Sequence, residues 1–209
     1  MPLHTWLLFL PAVFAINVYP GPNNLMALGN GARRGGRQAF LAAAARLPAF
    51  AAMIALVALG LGVVLAASET FFVVLKWIGA AYLVYLGIRM MLAPVDEAAV
   101  GRAPAEPLAR LARREFLVAA TNPKAIVTFT AFFPQFLTPG GEHYVEMAQM
   151  GLAFLLLEAV AILIYAGLGS RIGALAGTAR RMRLVNRLSG GALVVAGALL
   201  ALARRPQAV

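Results

Sequence analysis

Apolar windows of roughly 20 residues recur along this chain near 3–31, 39–67, 70–92, 115–138, 147–169 and 184–203, and a helix needs about that length to cross a hydrocarbon core of about 30 Å. Hydrocarbon offers no water to backbone amides and carbonyls, so each crossing segment must satisfy its own, which a single segment does by forming an α-helix. The expectation is an all-α integral membrane protein with six transmembrane helices. Composition agrees: 62% of the 209 residues are hydrophobic, 12% are charged and the mean hydropathy is +0.82, outside the range of soluble domains. Leu7 to Ala15 has the length of a signal-peptide core. No basic residue precedes it, and it runs on toward Pro20-Gly21-Pro22 without a small-residue cleavage pattern, so it is expected to remain as part of the mature first span.

The arginines sort the loops. Arg33, Arg34 and Arg37 follow the first window; Arg89, Arg102, Arg110, Arg113 and Arg114 follow the third; Arg171, Arg180, Arg181, Arg183 and Arg187 follow the fifth. The alternate loops, around Ser68-Glu69-Thr70 and Gly140-Gly141-Glu142-His143, carry no Lys or Arg. Positive loops stay inside, so the N-terminus is expected outside, and only Arg204 and Arg205 fall on the wrong side. The net charge of +10 lies in these short clusters and forms no continuous basic helix, which argues against nucleic acid as a partner. The absence of cysteine, with His4 and His143 as the only histidines, excludes disulfides, iron–sulfur clusters and thiolate zinc sites; no cofactor and no metal is expected. No HExxH, G-x-S-x-G, P-loop or dinucleotide fingerprint stands in usable context, so an enzyme is not expected.

Two windows are interrupted. Tyr19-Pro20-Gly21-Pro22-Asn23-Asn24 breaks the first near its middle, and Thr121-Asn122-Pro123-Lys124 breaks the fourth early. Proline lacks the amide hydrogen and clashes with the preceding turn, so a break in hydrocarbon persists only where it is buried in protein or lines a cavity. Transporters build binding sites from such broken helices. Pro22 is placed to open a half-helix running inward, presenting the amides of Asn23, Asn24 and Leu25; Pro123, with Asn122 as N-cap, is placed to open a second running the opposite way. Helix starts attract anions, so Pro22, Asn23, Asn24, Asn122 and Pro123 are candidate contacts for a substrate carboxylate. The alternative is that Asn17, Asn23, Asn24 and Asn122 only satisfy backbone groups freed by the prolines.

The breaks belong to a wider pattern. Lys76-Trp77-Ile78-Gly79-Ala80-Ala81 opens the third window and Arg187-Leu188-Ser189-Gly190-Gly191-Ala192 opens the sixth, each a basic residue followed by small residues at the same offset. The stretch from Ala93 to Pro107, with Pro94, Pro104 and Pro107, reads as a linker. The chain is therefore one transporter domain made of two three-helix repeats, about 1–92 and about 113–205, joined across about 93–112. An odd number of spans per repeat inverts the second relative to the first.

Four ionisable residues stand at or near membrane depth: Arg46, Glu115, Lys124 and Glu158. Such groups cost several kcal/mol on insertion and mark a pathway or a pair. Glu158 is the deepest carboxylate, flanked by Leu155-Leu156-Leu157 and Ala159-Val160-Ala161. It is a candidate to receive a substrate ammonium group or to carry a proton, or else to form an ion pair with Lys124 or Arg46. Glu115, beside Arg113 and Arg114, reads as interfacial. Arg46, close to Pro48, either faces a cavity or snorkels inward. Phe129, Phe132, Phe133 and Phe136 read as packing residues, with a second kink at Pro134.

Taken together, Pro20-Gly21-Pro22-Asn23-Asn24 with Gly35-Gly36-Arg37, Lys76-Trp77-Ile78-Gly79-Ala80-Ala81-Tyr82, Asn122-Pro123-Lys124-Ala125 and Phe133-Pro134-Gln135-Phe136 resemble the lysine-exporter and homoserine/threonine-efflux (LysE/RhtB) family of bacterial amino-acid exporters over nearly the whole chain. The resemblance implies six spans in the bacterial inner membrane and export of amino acids or small derivatives driven by the proton motive force, with the lipid bilayer and a small-molecule substrate as partners and a homodimer among the admissible assemblies. The chain departs from the family pattern at Asn23, where many members carry an acid, and at Arg46, Pro48 and Phe50, where members often carry small residues. Glu158 falls where some relatives carry an acid. The competing readings are a metal-cation exporter of related architecture, which would want clustered carboxylates or histidines, a membrane redox protein, and a scaffold that transports nothing.

Overall fold

The computed structural model of the protein describes residues 1–60, 69–92, 106–138, 141–176 and 179–202. Every regular element among them is helical, with no strand. The end of the second apolar window at 61–68, most of the linker at 93–105, Gly140, and Arg204 and Arg205 lie outside the described residues.

Helix α1, Leu3–Val18, gives way at Tyr19, Pro20 and Gly21 to α2, Pro22–Arg34, with a bend of 55°. Gly35 ends α2 at φ +83°, a left-handed conformation that glycine adopts without a Cβ clash, and α3, Gly36–Ala43, follows at once. Next comes α4, Arg46–Ala58. Pro48 causes the fault between α3 and α4: it offers Ala44 O no amide, and that carbonyl accepts from Leu47 N at 3.0 Å instead. Helix α5 is Glu69–Met91 and α6 is Leu108–Ala120. Thr121 and Asn122 separate α6 from α7, Pro123–Val127, with a second bend of more than 40°. A π-helical turn, Thr128–Phe132, and a 3₁₀ turn, Phe133–Phe136, carry α7 onward, since Pro134 cannot continue the α-helical ladder. The chain closes with α8, His143–Ala176, and α9, Ala179–Leu202.

Among the described residues, Gly36–Ala58 and His143–Leu175 are each long and apolar enough to cross a membrane, and up to four crossings result if each bent pair is one span. Two elements outrun their apolar windows. The window at 147–169 belongs to a helix that spans His143–Ala176, and α6 begins at Leu108 instead of near 115. An apolar window marks the part of a helix that lipid surrounds, whereas a helix continues until Pro, Gly or a cap stops it.

Burial is arranged for lipid. Leu152, Leu156 and Leu163 on α8 are 57–62% exposed, while Asn17, Asn23, Asn24, Asn30, Arg46, Glu115, Asn122 and Glu158 are all buried. Water would reverse that preference; hydrocarbon requires it. Small residues let the helices approach closely. A Cβ on Gly31 of α2 would stand 2.5 Å from Ala166 O of α8, and one on Gly87 of α5 would stand 2.5 Å from Gly190 O of α9. Phe9, Phe50, Phe129, Phe133 and Phe154 form the apolar core on one side of the breaks, ring against ring in edge-to-face contacts such as Phe129–Phe154 at 4.9 Å.

Candidate functional site

The break between α1 and α2 frees four carbonyls, and each finds a side chain. In an unbroken helix Ile16 O and Val18 O would accept from residues 20 and 22, both proline. Here Ile16 O accepts from Lys124 Nζ at 2.9 Å, and Val18 O accepts from Tyr165 Oη at 2.8 Å. Asn24 Nδ2 donates to Asn17 O at 2.7 Å and to Tyr19 O at 3.1 Å, and Lys124 Nζ also reaches Tyr19 O at 3.3 Å. A cation at the carbonyl end of α1 is favoured by the helix dipole as well. Lys124 therefore works as a cap on α1, and its ammonium is bound to carbonyls and not to Glu158.

The second break is joined to the first by amides. Asn122 Oδ1 accepts from Lys124 N at 3.0 Å, as an N-cap, and Asn122 Nδ2 donates to Asn23 Oδ1 at 2.9 Å. Asn23 Nδ2 then donates to Glu115 O at 3.1 Å. Glu115 lies in the core, 0% exposed, and not at the interface where its arginine neighbours suggested. The reason is helical phase. Leu111, Glu115, Val118 and Ala119 share the buried face of α6, while Arg110 and Arg113 are exposed. Asn23 and Asn30 also approach its carboxylate, each at 3.4 Å.

Arg46 ties the parts together. The fault made by Pro48 leaves Ala43 O without Leu47 N, and Arg46 Nε donates to it at 3.3 Å. Arg46 Nη1 donates to Asn24 Oδ1 and to Glu158 Oε1, both at 2.9 Å, and Nε lies 3.7 Å from Glu115 Oε2. The side chains of Arg46, Glu115 and Glu158 are 0%, 0% and 5% exposed. Arg46 thus faces the interior and does not snorkel, and of the two partners open to Glu158 the structure gives it Arg46. A single guanidinium serves two buried carboxylates.

A cleft of about 310 Å³, part of it open to the outside, adjoins this network. Asn23, Asn24, Arg46, Asn122, Lys124 and Glu158, all marked by the sequence, line it, and Pro22 and Pro123 open the helices that carry three of them there, with Asn122 capping the second. Its open core has room for about one water molecule. Sequence reasoning missed Glu115 and Asn30 as network members, and it weighed Asn17 only as a backbone partner although Asn17 also lines the cleft. For Glu115 the signal existed in the i, i+4 spacing from Leu111; for Asn30, one polar residue in a short helix, nothing local set it apart. Among the described residues no three His, Asp or Glu side chains stand together in a way that could hold a metal.

A helical chain that turns its leucines outward and encloses a guanidinium with two carboxylates is a membrane protein with a polar centre. Residues 14–204 match the LysE type translocator family, and the chain belongs to that family. A homoserine/homoserine lactone efflux protein of Salmonella typhimurium is 31% identical over 98% of this chain and 99% of its own length. A leucine efflux protein of Salmonella choleraesuis is 32% identical over 68% of this chain and 66% of its own length, and a protein of Vibrio cholerae known as an uncharacterized membrane protein is 32% identical over 98% of this chain and 100% of its own length. No solved structure is a significant match.

Proposed function

We propose that the chain is a secondary exporter of amino acids or small amino-acid derivatives across the bacterial inner membrane, driven by the proton motive force. The observation that carries this reading is the Arg46–Glu158–Glu115 cluster at the junction of three helix faults, beside a cleft, in a member of a translocator family. A fold that only needed stability would gain little from it, because two carboxylates and a guanidinium cost more to dehydrate than apolar residues of the same volume. The efflux of homoserine and of leucine by relatives makes neutral amino acids the first substrates to test. In this reading the asparagines beside Pro22 and Pro123 frame the site, and Glu158 and Arg46 form the pair whose separation accompanies proton or substrate binding.

Helix directions support six spans in two inverted repeats, and the arginine-bearing loops argue for an N-terminus outside. Leu28 meets Gly169 and Ala32 lies against Gly173, so α2 and α8 run parallel, as a first and a fifth span should. Arg46 meets Glu158 while Ile54 meets Gly151, so α4 and α8 run antiparallel, as a second and a fifth should. Gly87 meets Gly190 while Ala80 meets Gly197, so α5 and α9 are antiparallel too. The test of the function is efflux of radiolabelled amino acids from preloaded cells with and without the protein. Faster efflux of one or more neutral amino acids, abolished by a protonophore, is the expected result; unchanged efflux across the panel refutes the proposal.

A further inference from the structure

Two polar atoms beside the cleft have no partner. Arg46 Nη2 and Asn17 Oδ1 are buried without a hydrogen bond, and both residues line the cleft. For Arg46 the donor count is plain: Nε and Nη1 are engaged with Ala43 O, Asn24 Oδ1 and Glu158 Oε1, which leaves the two hydrogens on Nη2 unused. For Asn17 the amide orientation is fixed by its own bond. Its Nδ2 donates to Phe154 O at 3.1 Å, and a carbonyl can only accept, so the oxygen must be the free end. Both residues are almost fully enclosed, at 0% and 1% exposure. An unsatisfied buried donor on a cation and an unsatisfied buried acceptor are each costly and rare.

From this we infer that the cleft takes a zwitterion end on, with the substrate carboxylate on Arg46 Nη2 and the ammonium group on Asn17 Oδ1, beside the carboxylate of Glu158. This deepens the amino-acid export reading and rests on it. Asn23, Asn24 and Asn122 do not touch the substrate in this arrangement, because their amide groups are already bonded to one another, to Glu115 and to the freed carbonyls. They hold Arg46 and the helix ends in place. The remaining wall is mainly apolar, formed by Ile16, Gly21, Phe50, Ala125 and Phe154, with Thr128, whose hydroxyl donates to Lys124 O at 2.6 Å. Among the residues lining the cleft a third charge on the substrate would find no free counter-ion: Lys124 is committed to the α1 carbonyls, and Glu158, the one carboxylate in the lining, to Arg46 and the substrate ammonium. The substrate class is therefore an α-amino acid with a small, uncharged side chain, and the cleft, with room now for about one water molecule, must widen to admit it.

The test separates the two ends of the ligand. Radiolabelled leucine binding to purified protein is competed with leucine, with leucinamide, which lacks the carboxylate, and with N-acetyl-leucine, which lacks the ammonium group; homoserine and lysine complete the set. In the wild-type protein each blocked derivative should compete about tenfold or more less well than leucine, the size of a lost charge-assisted hydrogen bond. Asn17→Leu should weaken leucine and erase the discrimination against N-acetyl-leucine while keeping that against leucinamide. Arg46→Gln should do the reverse. Should Arg46→Gln not fold, the wild-type ranking of the derivatives and the Asn17→Leu result suffice. Leucine or homoserine bound and exported, with both variants weakening all competitors by one common factor, would overturn this assignment and leave the exporter reading standing, and so would selective export of lysine. No export of any amino acid tested would overturn the exporter reading itself and the assignment with it.

Discussion

Replacing Arg46 by methionine keeps most of the volume and removes the one charge that balances the core. Glu158 Oε1 and Asn24 Oδ1 each lose a partner at 2.9 Å, Ala43 O loses one at 3.3 Å, and Glu115 loses its cation at 3.7 Å. Breaking a buried ion pair costs about 3–5 kcal/mol, and because two carboxylates are left behind here the upper end applies. Glu158→Gln is a milder change. It leaves Arg46 with Glu115, one charge against one, and the glutamine oxygen still accepts from Nη1, so the loss should be about 1–2 kcal/mol. At about 2–4 °C per kcal/mol for a chain of this size, Arg46→Met should lower the melting temperature by on the order of 10 °C and Glu158→Gln by less than half of that. The triple variant Arg46→Met with Glu115→Gln and Glu158→Gln has no buried charge left in the cluster and should recover most of the loss. Thermal unfolding in detergent followed by far-ultraviolet circular dichroism measures all three. Equal stability of Arg46→Met and Glu158→Gln, or no recovery in the triple variant, would show that one guanidinium does not serve both carboxylates.

Lys124→Met should destabilise by about 1–3 kcal/mol in the same assay, because the partly buried Ile16 O is left without a donor while Tyr19 O keeps Asn24. Gly169→Val should cost about 3 kcal/mol or more, since its Cβ collides with Leu28 O, whereas Gly167→Ala, which meets nothing within 4 Å, should be neutral; yields and unfolding midpoints of the pair decide it. In this cysteine-free chain, Gln38→Cys should react with an impermeant thiol reagent only after cells are opened, and His143→Cys should react in intact cells, both positions being exposed; the opposite pattern would invert the orientation.

Much of the site was legible because proline acts locally. Pro20, Pro22 and Pro123 interrupt helices for a reason that needs no tertiary context, and Asn122 before Pro123 is a capping pattern readable in four letters. The fate of the freed carbonyls was not legible. Lys124 reaches Ile16 across 108 positions and Tyr165 reaches Val18 across 147, and no local rule selects those partners. Arg46 and Glu158 were both visible as charges in apolar surroundings, but their pairing across 112 positions needed the packing of α4 on α8. Glu115 was misplaced because Arg113 and Arg114 beside it outweighed its helical phase. The two outlying helix boundaries, at Leu108 and His143, reflect the difference between the length lipid covers and the length a helix runs.

The most direct measurement is transport by the purified protein in sealed proteoliposomes, with radiolabelled leucine or homoserine and an imposed pH gradient. Movement of a neutral amino acid against its own gradient, collapsing when the proton gradient is dissipated and reduced at least about tenfold in Arg46→Gln, is the predicted result. No movement of either amino acid beyond that in protein-free vesicles, from protein that is folded and correctly inserted, would contradict it.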